Sequence, residues 1–352
     1  MLLPALAVLL LCAALGQDAE SPDDGFCGLQ PFQAGDCEPY SATSPFNVPL
    51  AEVAPDRGRS QAVASRLAGF GPGPQIAVGV AETSADFDHP IYFSRQGDPA
   101  YEISCAQECE GEGRTVRVPI PAEPAGGSDA HMAVIEERTG LEYDLYGVRD
   151  RAPGGGVLRV ALAGVTTYSG PRADGLGSNA TAAHFGLAAG IIRPGELAQG
   201  QIDHALAIVV ECTNGRFVPP AEGPGVGRSC ASIGQSPAGA PALGEHIYLE
   251  MSDEEIDGLE AAPWQQAILL AMARYGMYVE DTGATANGWA LLVESGSSYT
   301  SFGRPDPWVR LARTLGVPRA EEARVPNTRI LDLQGLVDWG ARLRVAPPVL
   351  DD

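Results

Sequence analysis

The chain has 352 residues, 45% of them hydrophobic, and 45 acidic against 23 basic side chains, for a formal net charge of -22. Such a length holds one large domain or two ordinary ones, and the apolar content is that of a folded globular protein rather than a disordered chain. All 23 basic residues are arginine, which excludes lysine Schiff bases and the phosphate-gripping lysine of a P-loop; the acidic balance argues against nucleic acid and against anionic membranes.

The chain opens with an apolar run, Met1 to Gly16, that ends in small residues and turns acidic at Gln17-Asp-Ala-Glu20. A membrane span needs ~20 residues, so the run is short for one. It fits the hydrophobic region of a secretory signal peptide over residues 1–19, although no arginine precedes it. Six cysteines remain beyond the leader: Cys27, Cys37, Cys105, Cys109, Cys212 and Cys230. In a secreted protein they read as disulfides, and proximity favours Cys27–Cys37, Cys105–Cys109 and Cys212–Cys230. Zinc is the rival reading, but the spacings lack paired C-x-x-C arrangements.

Residues 20–74 read as an irregular lead-in rich in proline, glycine and aspartate, with a short helix predicted over Ser60–Phe70. From 75 to 318 the chain breaks into short apolar or alternating runs. These are Gln75–Ala81, Pro90–Phe93, Tyr101–Cys105, Thr115–Ile120, His131–Glu136, Leu141–Val148, Val157–Val165, His204–Cys212, His246–Met251 and Gly288–Val293. Short strands at this spacing, separated by turn residues, predict a mainly β domain, an antiparallel β-sandwich or jelly roll. One helix stands out over about 263–275: Pro263 suits its first turn, Trp264, Ile268, Ala271, Met272 and Tyr275 share a face, and Gly276 stops it. It is predicted to be buried against the sheet. Asp306–Leu315 is a shorter peripheral helix, and 319–352 reads as a C-terminal extension packed on the domain or trailing it.

The polar signal is concentrated in Gly127–Tyr146, where two alternating runs flank the loop Glu137-Arg-Thr-Gly140. That loop pairs Glu136 with Leu141, Ile135 with Glu142 and Ala133 with Asp144, and sets His131 opposite Tyr146. Met132, Val134, Tyr143 and Leu145 then share a core face, while Asp129, His131, Glu142, Asp144 and Tyr146 share the other. Two readings of this second face stand: a solvated outer surface, or the floor of a cleft in which neighbouring carboxylates shift one another's pKa.

Other polar positions divide similarly. His204 lies on the face of Leu206, Ile208 and Val210, the pattern of a satisfied core histidine, whereas Asp203 points beside small Ala205 and Ala207 and leaves room for a ligand. His184 reads as structural. Asp86, Asp88 and His89 resemble a metal cluster only superficially, because they sit in a loop before Pro90. Asp281 follows the buried helix and an extended stretch, which suits a fixed carboxylate. Gly-x-Ser-x-Gly is absent, so no nucleophile elbow is visible.

Several stretches resemble an uncharacterised family of secreted bacterial β-rich proteins. They are Pro124–Tyr146 with its Gly-Ser-Asp-Ala-His-Met run, Asp174–Ile192 with Ala-Thr-Ala-Ala-His-Phe-Gly, Gly200–Leu206 with Ile-Asp-His-Ala-Leu, and Ala273–Gly283 with Arg-Tyr-Gly-Met-Tyr-Val-Glu-Asp-Thr-Gly. The resemblance covers about residues 75–315. It implies that the hairpin, His204 and Asp281 belong to one shared design, and it implies no reaction.

These features point to a secreted enzyme, a glycoside hydrolase or a polysaccharide lyase, that cleaves glycosidic bonds of an extracellular polysaccharide. Asp144 and Asp281 are the candidate acid and base or nucleophile, with His131 as the third catalytic candidate. Glu142, Tyr146, Asp129, Asp203 and His204 are candidates for substrate binding. Carboxyl separations of ~5 Å would mark a retaining enzyme and ~6.5–9.5 Å an inverting one. No cofactor or resident metal is expected, although Asp203, His131 and Asp144 could hold a divalent cation if the fold joined them. The alternative is a non-catalytic carbohydrate-binding or cell-surface structural protein, marked by an exposed aromatic platform and no convergent carboxylates.

Overall fold

In chain order the elements are helix α1 (Arg57–Phe70) and strands β1 (Gln75–Val78), β2 (Ile91–Ser94), β3 (Ala100–Cys105), β4 (Thr115–Arg117), β5 (Met132–Glu136), β6 (Leu141–Tyr146), β7 (Gly156–Val160) and β8 (Leu162–Thr167). Then come α2 (Pro194–Gln199), β9 (Leu206–Val210), β10 (His246–Leu249), α3 (Asp253–Asp257), α4 (Pro263–Arg274), β11 (Met277–Thr282) and β12 (Trp289–Leu291). The chain closes with α5 (Ser297–Thr300), α6 (Pro307–Thr314), β13 (Arg329–Asp332), α7 (Trp339–Arg342) and β14 (Leu343–Val345). The computed structural model describes residues 39–50, 54–149, 151–223, 227–283, 289–321 and 325–347. The leader, the Cys27–Cys37 pair and the first part of the lead-in lie outside the described residues.

The architecture is mixed α/β with more strand than helix. The strands form a seven-stranded sheet in the order β13-β1-β12-β9-β11-β10-β14, a four-stranded sheet β2-β5-β6-β8 and a three-stranded sheet β4-β3-β7. An antiparallel arrangement throughout was the expectation. Instead each sheet contains parallel pairs: β1 with β12 and β9 with β11 in the large sheet, β2 with β5, and β3 with β7. Parallel neighbours need long crossovers, and the long connections between these short strands supply them. Periodicity reads a strand's faces but not its partner's direction.

The hairpin forms with the predicted register. Glu136 pairs with Leu141, Ile135 with Glu142 and Ala133 with Asp144. Gly140 closes the loop at φ +69°, where a Cβ would meet the Ser169 hydroxyl at 2.6 Å. The run Val157–Val165 is two strands rather than one, because the chain turns at Ala161.

The four-stranded sheet contributes its two faces to different cores. Met132, Val134, Tyr143 and Leu145 pack with Tyr101, Ile103, Val116 and Leu158 of the three-stranded sheet. Ala133 and Ile135, on the opposite face, join the large core built on β9, β11 and α4. The small sheet is therefore a middle layer, and its polar face is covered as well as its apolar one.

Helix α4 follows its sequence signals, with Pro263 in the first turn and Trp264, Ile268, Leu269, Ala271 and Met272 buried. Asp306 caps α6 by accepting the Trp308 amide, and Trp308, Leu311 and Ala312 face inward. The C-terminal stretch does more than pack on the domain or trail it. Strand β13 pairs with β1 and β14 with β10, so this stretch supplies both edges of the large sheet. These edges are short and carry arginines, which blunts them against further pairing.

Cys105–Cys109 and Cys212–Cys230 are both disulfides, the second fully buried. Among the described residues no helix is long and apolar enough to cross a membrane. Cross-linking a loop of 18 residues limits the unfolded chain, so the double variant Cys212→Ala/Cys230→Ala should lose about 3 kcal/mol of stability. A shift of the chemical-denaturation midpoint checks this.

Candidate functional site

Glu142 and Asp144 project from β6 into the interface between the four-stranded sheet and the large core, with no exposed surface. What covers them is the apolar, non-helical segment 182–192, most of whose side chains are buried. A buried irregular segment must find partners for its backbone amides. Here the carboxylates provide them: Leu187 N–H donates to Asp144 Oδ1 at 3.1 Å, and Ala188 N–H to Glu142 Oε1 at 2.9 Å. Tyr40 completes Glu142, its hydroxyl donating to Oε2 at 2.8 Å. Gly186 permits this approach, since a Cβ there would lie 2.5 Å from the Tyr40 hydroxyl and 3.0 Å from Glu142 Oε1.

Burial raises the pKa of both carboxyls, and the charge of Glu142 pushes Asp144 up further. Glu142 carries the stronger set of donors, so the proton the pair retains belongs on Asp144, whose Oδ2 has no hydrogen-bond partner. The polar face is thus neither solvated surface nor open cleft floor. It is an internal contact.

The histidines sit at one end of this contact. His131 is buried and hydrogen-bonds the Asp88 carbonyl at 3.0 Å, and burial pulls its pKa down to about 4. His89 meets it edge-on at 5.0 Å and bonds the Leu187 carbonyl at 2.7 Å, with a pKa lowered to about 3 by burial and by its neighbour. Both rings are neutral at pH 7.

At this same open end of the hairpin, where Tyr146 lies across from His131, the face reaches partly exposed residues. Tyr146 donates to Asp129 Oδ1 at 3.4 Å, and the charges of Asp129 and Asp281 add to burial in raising the Tyr146 pKa. Asp281 is partly exposed. Burial, followed by the charge of Asp129, raises its pKa to about 6 against the opposing bond from the Thr282 amide. Asp129 in the turn before β5, Tyr146 at the end of β6 and Asp281 of β11 therefore lie within electrostatic reach of one another. The field on Asp281 comes from Asp129, and Asp144 is not among its sources.

Glu280 was not identified from the sequence. In a regular strand it would alternate away from Asp281, but the pairing of β11 with β9 skips from Val279 to Asp281 and leaves Glu280 as an extra, bulged residue. Its carboxyl is buried, lacks a partner at Oε2, and is pushed well up by burial and then by the charges of Asp281 and Glu142. It links the exposed cluster to the sealed pair.

The remaining candidates lie elsewhere. His204 is a satisfied core histidine, bonded to Glu196 at 3.0 Å and to the Ala205 carbonyl at 2.9 Å. Asp203 accepts from Gln201 at 2.5 Å and feels Arg274. Burial alone would raise Glu196, but His204 and Arg193 outweigh it and hold the carboxyl low. Arg193 also faces Glu294, which accepts from the Tyr299 hydroxyl at 3.0 Å; burial nevertheless lifts Glu294 to about 7. His131, Asp144 and Asp203 do not converge as ligands. Among the described residues, ligand-like spacing occurs only at Cys105, Cys109 and Glu112, and those cysteines are bonded to each other.

Native Glu294 keeps a proton that the unfolded chain sheds near pH 4.5, so its stabilising contribution is full below that pH and is lost as pH rises through about 7. The buried histidines act oppositely, their contribution disappearing as pH falls below 6.5; they are common to wild type and variant. Between pH 6 and 8 the stability difference should therefore move by about 1 kcal/mol in favour of Glu294→Gln, which paired denaturation curves at the two pH values measure.

No family model, curated protein or solved structure matches this chain.

Proposed function

We propose that the chain is a secreted enzyme that cleaves glycosidic bonds in an extracellular polysaccharide, using the Asp129–Tyr146–Asp281 cluster. The observation that carries this reading is Asp281: a residue at the partly exposed rim whose carboxyl burial raises to about 6, within electrostatic reach of Asp129 and Tyr146. An acid of that strength still holds a proton near neutrality and can give it to a leaving oxygen. Asp129 is then the second carboxylate, serving as base or nucleophile, and Tyr146 orients it. Glu280, next to Asp281 along β11, is itself pushed up by burial and by the charge of Asp281, so it holds its own proton and adds no charge to the site.

Asp144 was the other leading catalytic candidate. With no exposed surface and its Oδ1 engaged by a backbone amide, it supports the scaffold under this reading and does not contact substrate. His131 and Glu142, equally enclosed, have the same part. Asp203 and His204 drop out of substrate binding because their partners lie around Glu196 and Arg274.

The non-catalytic alternative predicts an exposed aromatic platform without convergent carboxylates. All four tryptophans, Trp264, Trp289, Trp308 and Trp339, are buried; among the described residues the exposed aromatics are Phe87, Phe217 and Phe302, and Asp129 and Asp281 lie within electrostatic reach of each other. Export is supported by the two disulfides and by the resemblance to a secreted family. The stacked sheets support a sandwich-like scaffold, and the sugar assignment rests on analogy with other secreted scaffolds of that kind.

The test is product release from a polysaccharide panel by wild type, Asp281→Asn and Asp144→Asn. Asp281→Asn should lower the rate by roughly 10²–10⁴-fold, while Asp144→Asn should still release product. The wild-type rate should fall as pH rises through about 6 and Asp281 loses its proton; that limb should vanish in Asp281→Asn. Equal release by Asp281→Asn and wild type, or no product from any polymer, overturns the proposal.

A further inference from the structure

A second concave surface lies directly beside the Asp129–Tyr146 cluster. Ile120, Glu123, Pro124, Val148, Arg149, Arg151 and Pro153 line a groove of about 470 Å³, within the range of small-molecule sites. It joins the cluster through the backbone: Gly147 N–H donates to the Asp129 carbonyl and Val148 N–H to the Ala130 carbonyl. Between Tyr146 and Arg149 the chain bends at Gly147, φ +64°, so the two are closer than the roughly 10 Å of three extended residues.

The groove brings two arginines together. In a chain of net charge -22, several other arginines, among them Arg59, Arg117, Arg193, Arg274, Arg342 and Arg344, meet a carboxylate. Arg149 and Arg151 meet none among the described residues. The guanidinium of Arg151 is fixed by the carbonyls of Pro119, Ile120 and Ala122 and lies over the Tyr101 ring at 5.7 Å. Those bonds occupy one guanidinium nitrogen, and a second donates to the Tyr101 hydroxyl at 3.4 Å; all are neutral acceptors, so among the described residues no carboxylate compensates the cation. Arg149 is exposed, and only its backbone is engaged, by the Arg159 carbonyl. Apolar walls beside the two cations, including Ile120 at 58% exposure, complete the surface.

We propose that this groove is a subsite for an acidic sugar, holding the carboxylate of a uronic acid residue of the polymer cleaved at Asp281. The proposal rests on the hydrolytic reading above and names the substrate class for it. Arg149 supplies a planar fork that matches a carboxylate through two parallel hydrogen bonds. Arg151 adds a fixed positive charge, and Ile120, Pro124 and Pro153 take the apolar face of the sugar ring. The overall negative charge does not forbid this: at physiological salt, charges beyond about 8 Å are screened, while contacts inside a groove persist. Glu123 is the opposing element, since its exposed side chain lines the same groove and repels a carboxylate.

The test titrates the full-length Asp281→Asn chain calorimetrically with a de-esterified oligogalacturonide and with the same oligomer fully methyl-esterified. The acid form should bind about tenfold more tightly, and added salt should weaken that form alone. Arg149→Ala should abolish the preference and Arg149→Lys should keep part of it, because a point charge replaces the fork. Glu123→Gln should tighten the acid form. Equal affinity for the two forms, an unchanged preference in Arg149→Ala, or no binding of the acid form overturns the subsite. Acid-selective binding by a chain whose wild type cleaves nothing supports the subsite and removes the hydrolytic reading. Cleavage of neutral polymers without acid preference does the reverse.

Discussion

Two adjacent backbone amides, those of Leu187 and Ala188, donate to the carboxylates of Asp144 and Glu142, and much of the molecule is arranged around that contact. The segment that carries them is apolar enough to enter the core but is neither helix nor strand, so it cannot satisfy its own polar backbone. The four-stranded sheet solves the problem by turning acidic side chains toward it. Tyr40 and His89 add to the same joint, one through Glu142 and the other through the Leu187 carbonyl. The cost is the burial of two carboxyls, which is met by retaining a proton between them and by drawing on amide dipoles.

This arrangement separates support from reactivity along one strand. Glu142 and Asp144, in the middle of β6, are enclosed and engaged. Tyr146, at its end, emerges at the rim with Asp129 and Asp281. Glu280 stands between the two zones because a bulge leaves it unpaired and buried. A gradient results, from carboxyls that cannot reach solvent to one that exchanges protons near neutrality. The arginine-lined groove continues from the rim, so the charged features unused by the scaffold lie side by side.

Much of the local structure was readable in the chain. The hairpin register followed from a four-residue loop ending in glycine, and α4 from a proline, an apolar face and a terminal glycine; these are short-range signals that later packing reinforced. Two cysteine pairs followed from proximity. The edge strands β13 and β14 were missed because three- and four-residue runs carry almost no periodicity. Parallel pairing was missed because strand direction is set by crossovers, not by side-chain alternation. Glu280 gave no signal at all, since a bulge exists only where two strands meet.

By itself the chain determined which side chains share a face of the hairpin, and that Asp129, Glu142, Asp144 and Tyr146 form a polar row opposite an apolar one. Periodicity of two is a property of the backbone, and no distant residue can change it. Whether that row faces water or another layer belonged to the tertiary structure alone. The covering segment, Tyr40 and Asp281 arrive from remote parts of the chain, and only their arrival turned Asp144 into a buried anchor and left Asp281 at the rim.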